Sequence, residues 1–119
     1  MNNRDVVRRI RLLGALSKWV VVMGSASAMM QFSGCRRAHD IDLVAHPAVF
    51  LLLCVFRPSG WILEPSRNIF RFRLWHKELE IEMFLRWRTH RGYVSYRELK
   101  ERSVKVRGVY CGSIAEVLA

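Results

Sequence analysis

The sequence is poor in the residues that build disulfide frameworks and zinc sites. Its three cysteines, Cys35, Cys54 and Cys111, form no CxxC pair. An odd number of widely spaced cysteines predicts neither a disulfide framework nor a structural zinc site. The four histidines are scattered without HExxH spacing, so they predict no metal site of their own. We therefore expect a protein of a reducing compartment, the cytoplasm.

Long apolar runs are also lacking. The longest covers residues 43–56 and is interrupted by His46 and Pro47, whereas a transmembrane helix needs about 20 apolar residues. We find no internal repeat, low-complexity segment or linker. The sequence therefore predicts one domain over residues 1–119, with no membrane partner.

Acidic residues are half as frequent as basic ones. The chain has 20 Lys and Arg against 10 Asp and Glu, which gives a net charge of +10. A basic surface makes polyanions, such as nucleic acid or nucleoside triphosphates, plausible partners. Hydrophobic residues make up 51% of the chain, a composition typical of a globular protein rather than a disordered one.

The N-terminal segment predicts an amphipathic helix. Val6, Ile10 and Leu13 recur at helical spacing and define its apolar face. Arg9 and the neighbouring arginines are expected to lie largely in solvent.

A strand, a tight turn, a helix and a second strand follow. KWVVVM is a short β-branched run that ends at Gly24, and SASAMMQFS has the small, unbranched residues of a helix, closed by Gly34. HDIDLVA alternates, which predicts a strand with Asp40, Asp42 and Val44 on one face.

Pro47 is suited to begin the next helix, PAVFLLLCVF, which we expect to be deeply packed because it is apolar nearly all round. NIFRFRLW and LEIEMFL predict a β-hairpin whose second strand carries Glu80 and Glu82 on one face. RWRTHRGY is polar enough for an exposed loop.

The C-terminal region contains two capping boxes with an edge strand between them. Each box is a serine followed three residues later by a glutamate, Ser95 with Glu98 and Ser113 with Glu116. SVKVRGVYC alternates between them. The whole order predicts an α+β (α/β) fold with a mixed sheet of about four to five strands flanked by helices.

The predicted turn and strand bring together two kinds of group. A glycine and a serine at the start of a helix present backbone N–H groups to a phosphate, and the helix dipole favours the negative charge. Two aspartates on one strand face supply the oxygen ligands that Mg²⁺ prefers. Taken alone, Ser25 is equally well explained as a helix N-cap.

These residues resemble a known family. GS at 24–25, ahead of a helix, with DIDL at 40–43 is similar to the core motif of the DNA polymerase beta-like nucleotidyltransferase superfamily, especially its minimal and abortive-infection toxin-type members. The likeness covers the chain from about Trp19 to the C-terminal region, where the superfamily's usual C-terminal helical region is missing. IEMF at 81–84 looks like the strand of the third carboxylate, commonly aspartate in the family and Glu82 here.

The resemblance implies a nucleotidyltransferase-like fold and an Mg²⁺-dependent enzyme. Such an enzyme would use one or two Mg²⁺ ions to move a nucleoside monophosphate from an NTP to a hydroxyl on RNA, tRNA included, or on protein. By position, Asp40, Asp42 and Glu82 would be the catalytic metal ligands. Nucleotide phosphates would be bound by Gly24 and Ser25, with Arg36 and Arg37.

Several alternatives stay open at this stage. Glu80 is a rival for the third carboxylate because it shares the predicted strand face of Glu82. Arg71 and Arg73 are candidates for triphosphate or polynucleotide contacts, and solvated surface arginines explain them equally well. The chain could instead be an inactive nucleotidyltransferase-fold module that binds nucleic acid, or a structural partner subunit or homo-oligomer.

Overall fold

The computed structural model describes residues 1–32 and 38–113 of the chain. The α-helices in these ranges are α1 (Asn3–Arg11), α2 (Gly24–Gln31), α3 (Pro47–Phe56) and α4 (Tyr96–Glu101). Short 3₁₀ helices span Gly14–Trp19 and Ile69–Arg71. The strands are β1 (Val20–Met23), β2 (Ile41–Ala45), β3 (Trp61–Glu64), β4 (Arg73–His76), β5 (Ile81–Phe84), β6 (Arg86–Thr89), β7 (Gly92–Ser95), β8 (Val104–Val106) and β9 (Val109–Cys111).

Seven of the strands form one mixed sheet. Their order across the sheet is β3-β4-β5-β2-β1-β9-β8, and β6 pairs with β7 in a separate two-stranded sheet. β2 runs parallel to β5 and β1 runs parallel to β9, whereas the other neighbouring pairs are antiparallel. The prediction of an α+β protein with a mixed sheet is confirmed. The large sheet has more strands than the four to five that the sequence predicted.

Hydrophobic clusters cover the two faces of this sheet. Side chains alternate along a strand, so Leu43 and Val44 of β2 belong to different clusters. The larger cluster includes Val6 and Ile10, which confirms the predicted apolar face of α1. The smaller one consists of five buried residues: Val21, Met23, Val44, Tyr96 and Leu99.

Three strands lie where the sequence predicted none. β3 was not foreseen, and β6 and β7 occupy the segment predicted to be an exposed loop. The segment predicted as one edge strand is a hairpin of β8 and β9, turning at Arg107 and Gly108 with φ of +51° and +82°. β8 is nevertheless at the sheet edge, as predicted. The arginine-rich composition around β6 hid its pairing with β7, because cross-strand contacts stabilise strands whose outer side chains are charged.

Helix α3 begins at Pro47 as predicted, but it is not deeply packed. Val49, Phe50 and Leu53 are buried. The opposite side carries four apolar residues that are 50–74% exposed: Leu51, Leu52, Val55 and Phe56. One side of the helix meets the core, and no described residue covers the other, so an all-apolar sequence did not imply burial all round.

Two further local predictions have clear outcomes. Ser95 caps α4 by accepting a hydrogen bond from the Glu98 backbone N–H at 3.3 Å, which confirms the helix start predicted at Ser95. Glu116 of the second box and the predicted helix end at Gly34 lie outside the described residues. Arg9 is not largely solvated, because its Nη1 donates to the Leu79 carbonyl oxygen at 2.8 Å and its side chain is only 17% exposed.

No helix within residues 1–32 and 38–113 is long and apolar enough to cross a membrane.

Candidate functional site

The turn between β1 and α2 holds a glycine backbone against a carboxylate. α2 begins at Gly24, whose φ of +63° is a left-handed conformation that glycine adopts without strain. A Cβ atom at this position would lie 2.6 Å from Oδ2 of Asp42. Both the turn and the close approach of Asp42 therefore require glycine here.

Hydrogen bonds attach α2 to Gly112, the residue that follows β9. Ser27 Oγ donates to the Gly112 carbonyl oxygen at 2.9 Å, and Gln31 Nε2 donates to the same oxygen at 2.7 Å. The Gly112 N–H in turn donates to the Val22 carbonyl oxygen at 2.8 Å. Ser25, the predicted phosphate-binding serine, is exposed in the first turn. The residue that precedes α2, Met23, provides no side-chain cap for its N–H groups.

Asp42 and Glu82 are neighbours on one face of the sheet. They are register partners on the parallel strands β2 and β5. The same row continues to Met23 on β1 and to Trp75 on β4. Because paired strands lie about 4.8 Å apart and register partners project to the same face, the two carboxylates are brought together across the sheet.

The environment of Asp42 disfavours its negative charge. Burial raises the pKa of Asp42 from 3.8 to about 7, and the negative charges of Glu82 and Asp40 add to the rise. The Arg73 guanidinium opposes it by a smaller amount. A carboxylate perturbed by burial and by like charges is typical of functional sites, because a bound cation would remove the cost of clustering them.

Asp40 lies outside the strand on which the sequence placed it. β2 begins one residue later, at Ile41, and Asp40 is exposed. The predicted alternation does hold for Asp42. Its side chain is partly buried on the same face of β2 as Val44, which belongs to the smaller cluster. Asp40 is therefore not oriented by the pleat, although its charge still raises the pKa of Asp42.

Glu80 and Glu82 do not share the strand face that the sequence predicted for them. β5 begins at Ile81, and Glu80 precedes it in a left-handed conformation with φ of +54°. Glu80 Oε1 accepts a hydrogen bond from Arg9 Nη1 at 3.1 Å, whereas Glu82 Oε1 accepts one from Arg73 Nη1 at 3.1 Å. Glu82 is thus the carboxylate that belongs to the row of Asp42.

A cavity of about 280 Å³ opens beside this row, where β4 ends and β5 begins. Its lining includes Asp40, Glu82, Arg73 and Trp75. The indole Nε1 of Trp75 is buried and has no hydrogen-bond partner among the described residues. An unpaired buried donor is costly, and this one belongs to a residue that lines the cavity.

Trp75 was missed from the sequence, although a signal was present. Trp75 follows Arg73 at the two-residue period of a strand, so in the predicted hairpin the two residues share a face. Only the pairing of β4 with β5 places it opposite Glu82.

The four candidate arginines have different outcomes. Arg36 and Arg37 lie outside the described residues. Arg73 is not a free surface arginine, because Nη2 donates a hydrogen bond to Glu64 Oε2 at 2.7 Å and Nη1 donates one to Glu82 Oε1. Arg71 Nε donates to the hydroxyl of Tyr93 at 3.0 Å, away from the carboxylates.

The carboxylates alone do not complete a metal-binding group. Within residues 1–32 and 38–113, no three His, Cys, Asp or Glu side chains are grouped closely enough to hold an ion. The donors present are carboxylate oxygens, which suit Mg²⁺, an ion usually held by one or two carboxylates together with water and substrate phosphates. Asp42 and its register partner Glu82 offer a carboxylate pair that fits such a shared site.

The two cysteines that the structure describes give no support for thiol chemistry. Cys54 and Cys111 are free, and burial raises the pKa of both, that of Cys111 to about 11. A thiolate is the nucleophilic form, so neither residue is activated.

Comparison of the sequence with protein families and curated proteins, and with solved structures, gives no match. The function must therefore be argued from the site itself.

Proposed function

We propose that the protein is an Mg²⁺-dependent nucleotidyltransferase that moves a nucleoside monophosphate from an NTP to a hydroxyl on RNA or protein. One observation carries the proposal: the left-handed Gly24 at the start of α2 lies against Asp42, and Asp42 is the register partner of Glu82. A helix N-terminus and a carboxylate pair thus meet at one point. Phosphoryl transfer needs both, since one binds anionic phosphate and the other binds the metal that neutralises it.

The start of α2 would bind the triphosphate. Its first-turn N–H groups have no side-chain cap from Met23, and Ser25 is exposed beside them. These groups, with the positive end of the helix dipole, would donate to phosphate oxygens. Gly24 lets the Asp42 carboxylate lie against the backbone of this turn, because no Cβ stands between them.

Asp42 would hold Mg²⁺ together with Asp40 and Glu82, and the phosphate oxygens of the NTP would complete the coordination. The bound ion supplies charge neutralisation of the phosphates and activation of the attacking hydroxyl. The raised pKa of Asp42 supports this role, because clustered carboxylates favour a cation. Arg73, which already holds Glu82, would keep that carboxylate fixed.

The reaction itself is an in-line displacement. The acceptor oxygen forms a bond to the α-phosphorus, the bond from that phosphorus to the bridging oxygen of the β-phosphate breaks, and pyrophosphate leaves. The hydroxyl proton passes to a carboxylate of the site. Positioning and electrostatics provide most of the catalysis in such transfers.

The test is transfer of label from each α-phosphate-labelled NTP to total RNA or to lysate protein, with Mg²⁺. Asp42→Asn keeps the shape of the side chain and removes its charge, and we expect it to abolish labelling. Glu98→Gln makes the same change on the exposed side of α4 and should label like the unmodified protein. Glu80→Gln should also retain transfer, because Glu80 pairs with Arg9. Labelling that survives in Asp42→Asn would refute the proposal.

A second candidate is favoured by the contacts of Glu82. That carboxylate already accepts from Arg73, and no group of three ligands is present among the described residues. An inactive module that binds nucleic acid would have these features. Its binding should weaken steeply with salt and be indifferent to chelation of Mg²⁺. Absent labelling with every NTP, together with such binding, would favour this candidate.

A further inference from the structure

A second cavity, of about 260 Å³, has Phe84 of β5 in its lining. Four aromatic and three arginine side chains line it: Phe70, Phe84, Trp87, Tyr93, Arg71, Arg86 and Arg88. We call this site the aromatic cleft. Phe84 connects it to the candidate active site, because it follows Glu82 by two residues on β5 and projects to the same face. The Cα atoms of Glu82 and Phe84 are thus about 7 Å apart along one strand.

The aromatic rings of the cleft are arranged by contacts with one another. Phe70 and Tyr93 have ring centroids 5.5 Å apart at 48°, and Phe84 and Trp87 have centroids 6.1 Å apart at 80°. These contacts tie the Ile69–Arg71 turn, strand β5 and the β6–β7 hairpin together. The rings therefore form a preformed platform rather than isolated surface residues.

The arginines of the cleft give it a single sign of charge. Arg86 lies over the ring of Phe70, 4.2 Å from its centroid, and Arg71 donates to the Tyr93 hydroxyl. Arg88 is exposed on β6. No acidic residue lines the cleft among residues 1–32 and 38–113. An anionic occupant with flat apolar rings fits this lining in both charge and shape.

We infer that the aromatic cleft binds single-stranded nucleic acid and holds it as the acceptor. Stacking of bases on aromatic rings, combined with a basic groove along the backbone, is how proteins bind single strands without sequence preference. The volume is just under the roughly 300–1,000 Å³ of sites that enclose a whole small ligand, which suits one base with the rest of the strand outside. The role as acceptor site rests on the proposed function, whereas binding by the cleft does not.

Binding is measured by fluorescence anisotropy of a labelled, unstructured RNA of about 12 nucleotides. EDTA is present and the protein is Asp42→Asn, so that no transfer can occur. Tyr93→Ala and Phe70→Ala should each weaken binding roughly 5- to 100-fold, as expected for loss of one stacked base. Phe56→Ala is the control, because Phe56 is an exposed aromatic on α3 outside the cleft and its loss should leave affinity unchanged.

The charged residues are tested by salt dependence. Arg88→Gln should reduce the slope of log affinity against log salt by about one. Arg4→Gln removes the same charge from the exposed side of α1 and should leave the slope unchanged. Tyr93→Phe keeps the ring and removes the hydroxyl, so it should bind RNA like the parent. This variant separates loss of stacking from a general loss of hairpin structure. A thermal melt of each variant also monitors the loss of structure.

Two results would overturn the inference. One is equal affinity in Tyr93→Ala, Phe70→Ala and the Phe56→Ala control. The other is no oligonucleotide binding at all, which would favour a protein as the acceptor. If RNA binding depends on the cleft but the unmodified protein transfers no label from any NTP, the binding inference is supported and the proposed transferase activity is refuted. The two failures are therefore distinguishable.

Discussion

Two halves of one sheet face have opposite chemistry although they share strands. In the covered half, Val21 and Val44 are fully buried beneath Leu99 of α4. In the open half, Asp42 and Glu82 occupy the same face. Asp42 lies two residues before Val44 on β2, and Glu82 is its register partner on the neighbouring strand β5. One strand, β2, contributes Val44 to the first half and Asp42 to the second.

The difference shows where this fold can carry charge. Where α4 packs on the sheet, an ionised side chain would lose its water without a partner, so apolar residues are required. Where α4 does not reach, carboxylates are tolerated at a cost, which is visible in the raised pKa of Asp42. Changes in the covered half should therefore affect stability, and changes in the open half should affect activity.

Gly24→Ala should give the largest effect, a loss of transfer by about a hundredfold or more, because displacement of a reacting group by about 1 Å is that costly. The added Cβ would meet Asp42 Oδ2, and alanine is strained at a positive φ. Initial rates of label transfer measure the loss. Gly14→Ala is the control, since Gly14 also has a positive φ, +64°, but a Cβ added there would meet no atom within 4 Å. Full activity in Gly24→Ala would remove Gly24 from the site.

Leu99→Ala should destabilise the covered half by about 2–5 kcal/mol, the usual cost of truncating a buried leucine. Leu99 is completely buried against the sheet. Urea unfolding measures the change in the free energy of unfolding. The exposed Leu52→Ala on α3 makes the same truncation, and we expect a clearly smaller loss there. Equal losses would show that α4 is not the cover of this face.

The pH dependence of stability should reveal Asp42 in a metal-free buffer. Its folded pKa is about 7 and its ordinary value is 3.8, so between these values the folded state keeps a proton that the unfolded chain releases. The contribution of Asp42 to the free energy of unfolding is fully present below about pH 4 and is lost as pH rises through about 7. Between these two pH values, the free energy of unfolding should fall with a slope that approaches about 1.4 kcal/mol per pH unit.

Asp42→Asn removes the titrating group, so the difference between its unfolding curve and that of the parent isolates the contribution of Asp42. The variant should gain stability relative to the parent as pH rises towards neutrality. Parallel pH profiles would mean that Asp42 titrates normally and that the open half carries no electrostatic cost.

Arg73→Gln should have the smallest effect on stability, about 1 kcal/mol or less, because the Arg73 side chain is partly exposed and its ion pairs are screened. The substitution should also raise the pKa of Asp42 further, and with it the pH at which the contribution of Asp42 to stability is lost, because Arg73 opposes the rise of the Asp42 pKa. The same unfolding series measures both effects. A downward movement of that pH would contradict the assigned electrostatics.

Much of the fold could be predicted from the sequence because its signals are local. Period-two alternation predicted that Asp42 and Val44 share a face, and Ser95 with Glu98 predicted the start of α4. The hairpin of β6 and β7 could not be predicted in the same way, because its short strands, with two arginines on β6, have no continuous apolar pattern and are stabilised by pairing and by Trp87.

The sequence by itself determined the chemistry available to this protein: a glycine turn before a helix, clustered carboxylates and a large excess of arginine and lysine. These follow from residue type and backbone sterics, which act over a few residues. Only the tertiary structure decided that Glu82, not Glu80, stands beside Asp42, that Arg73 and Trp75 join them, and that aromatic rings from distant segments form a cleft. Register between strands and loss of water arise only when distant segments meet, and no local pattern encodes them.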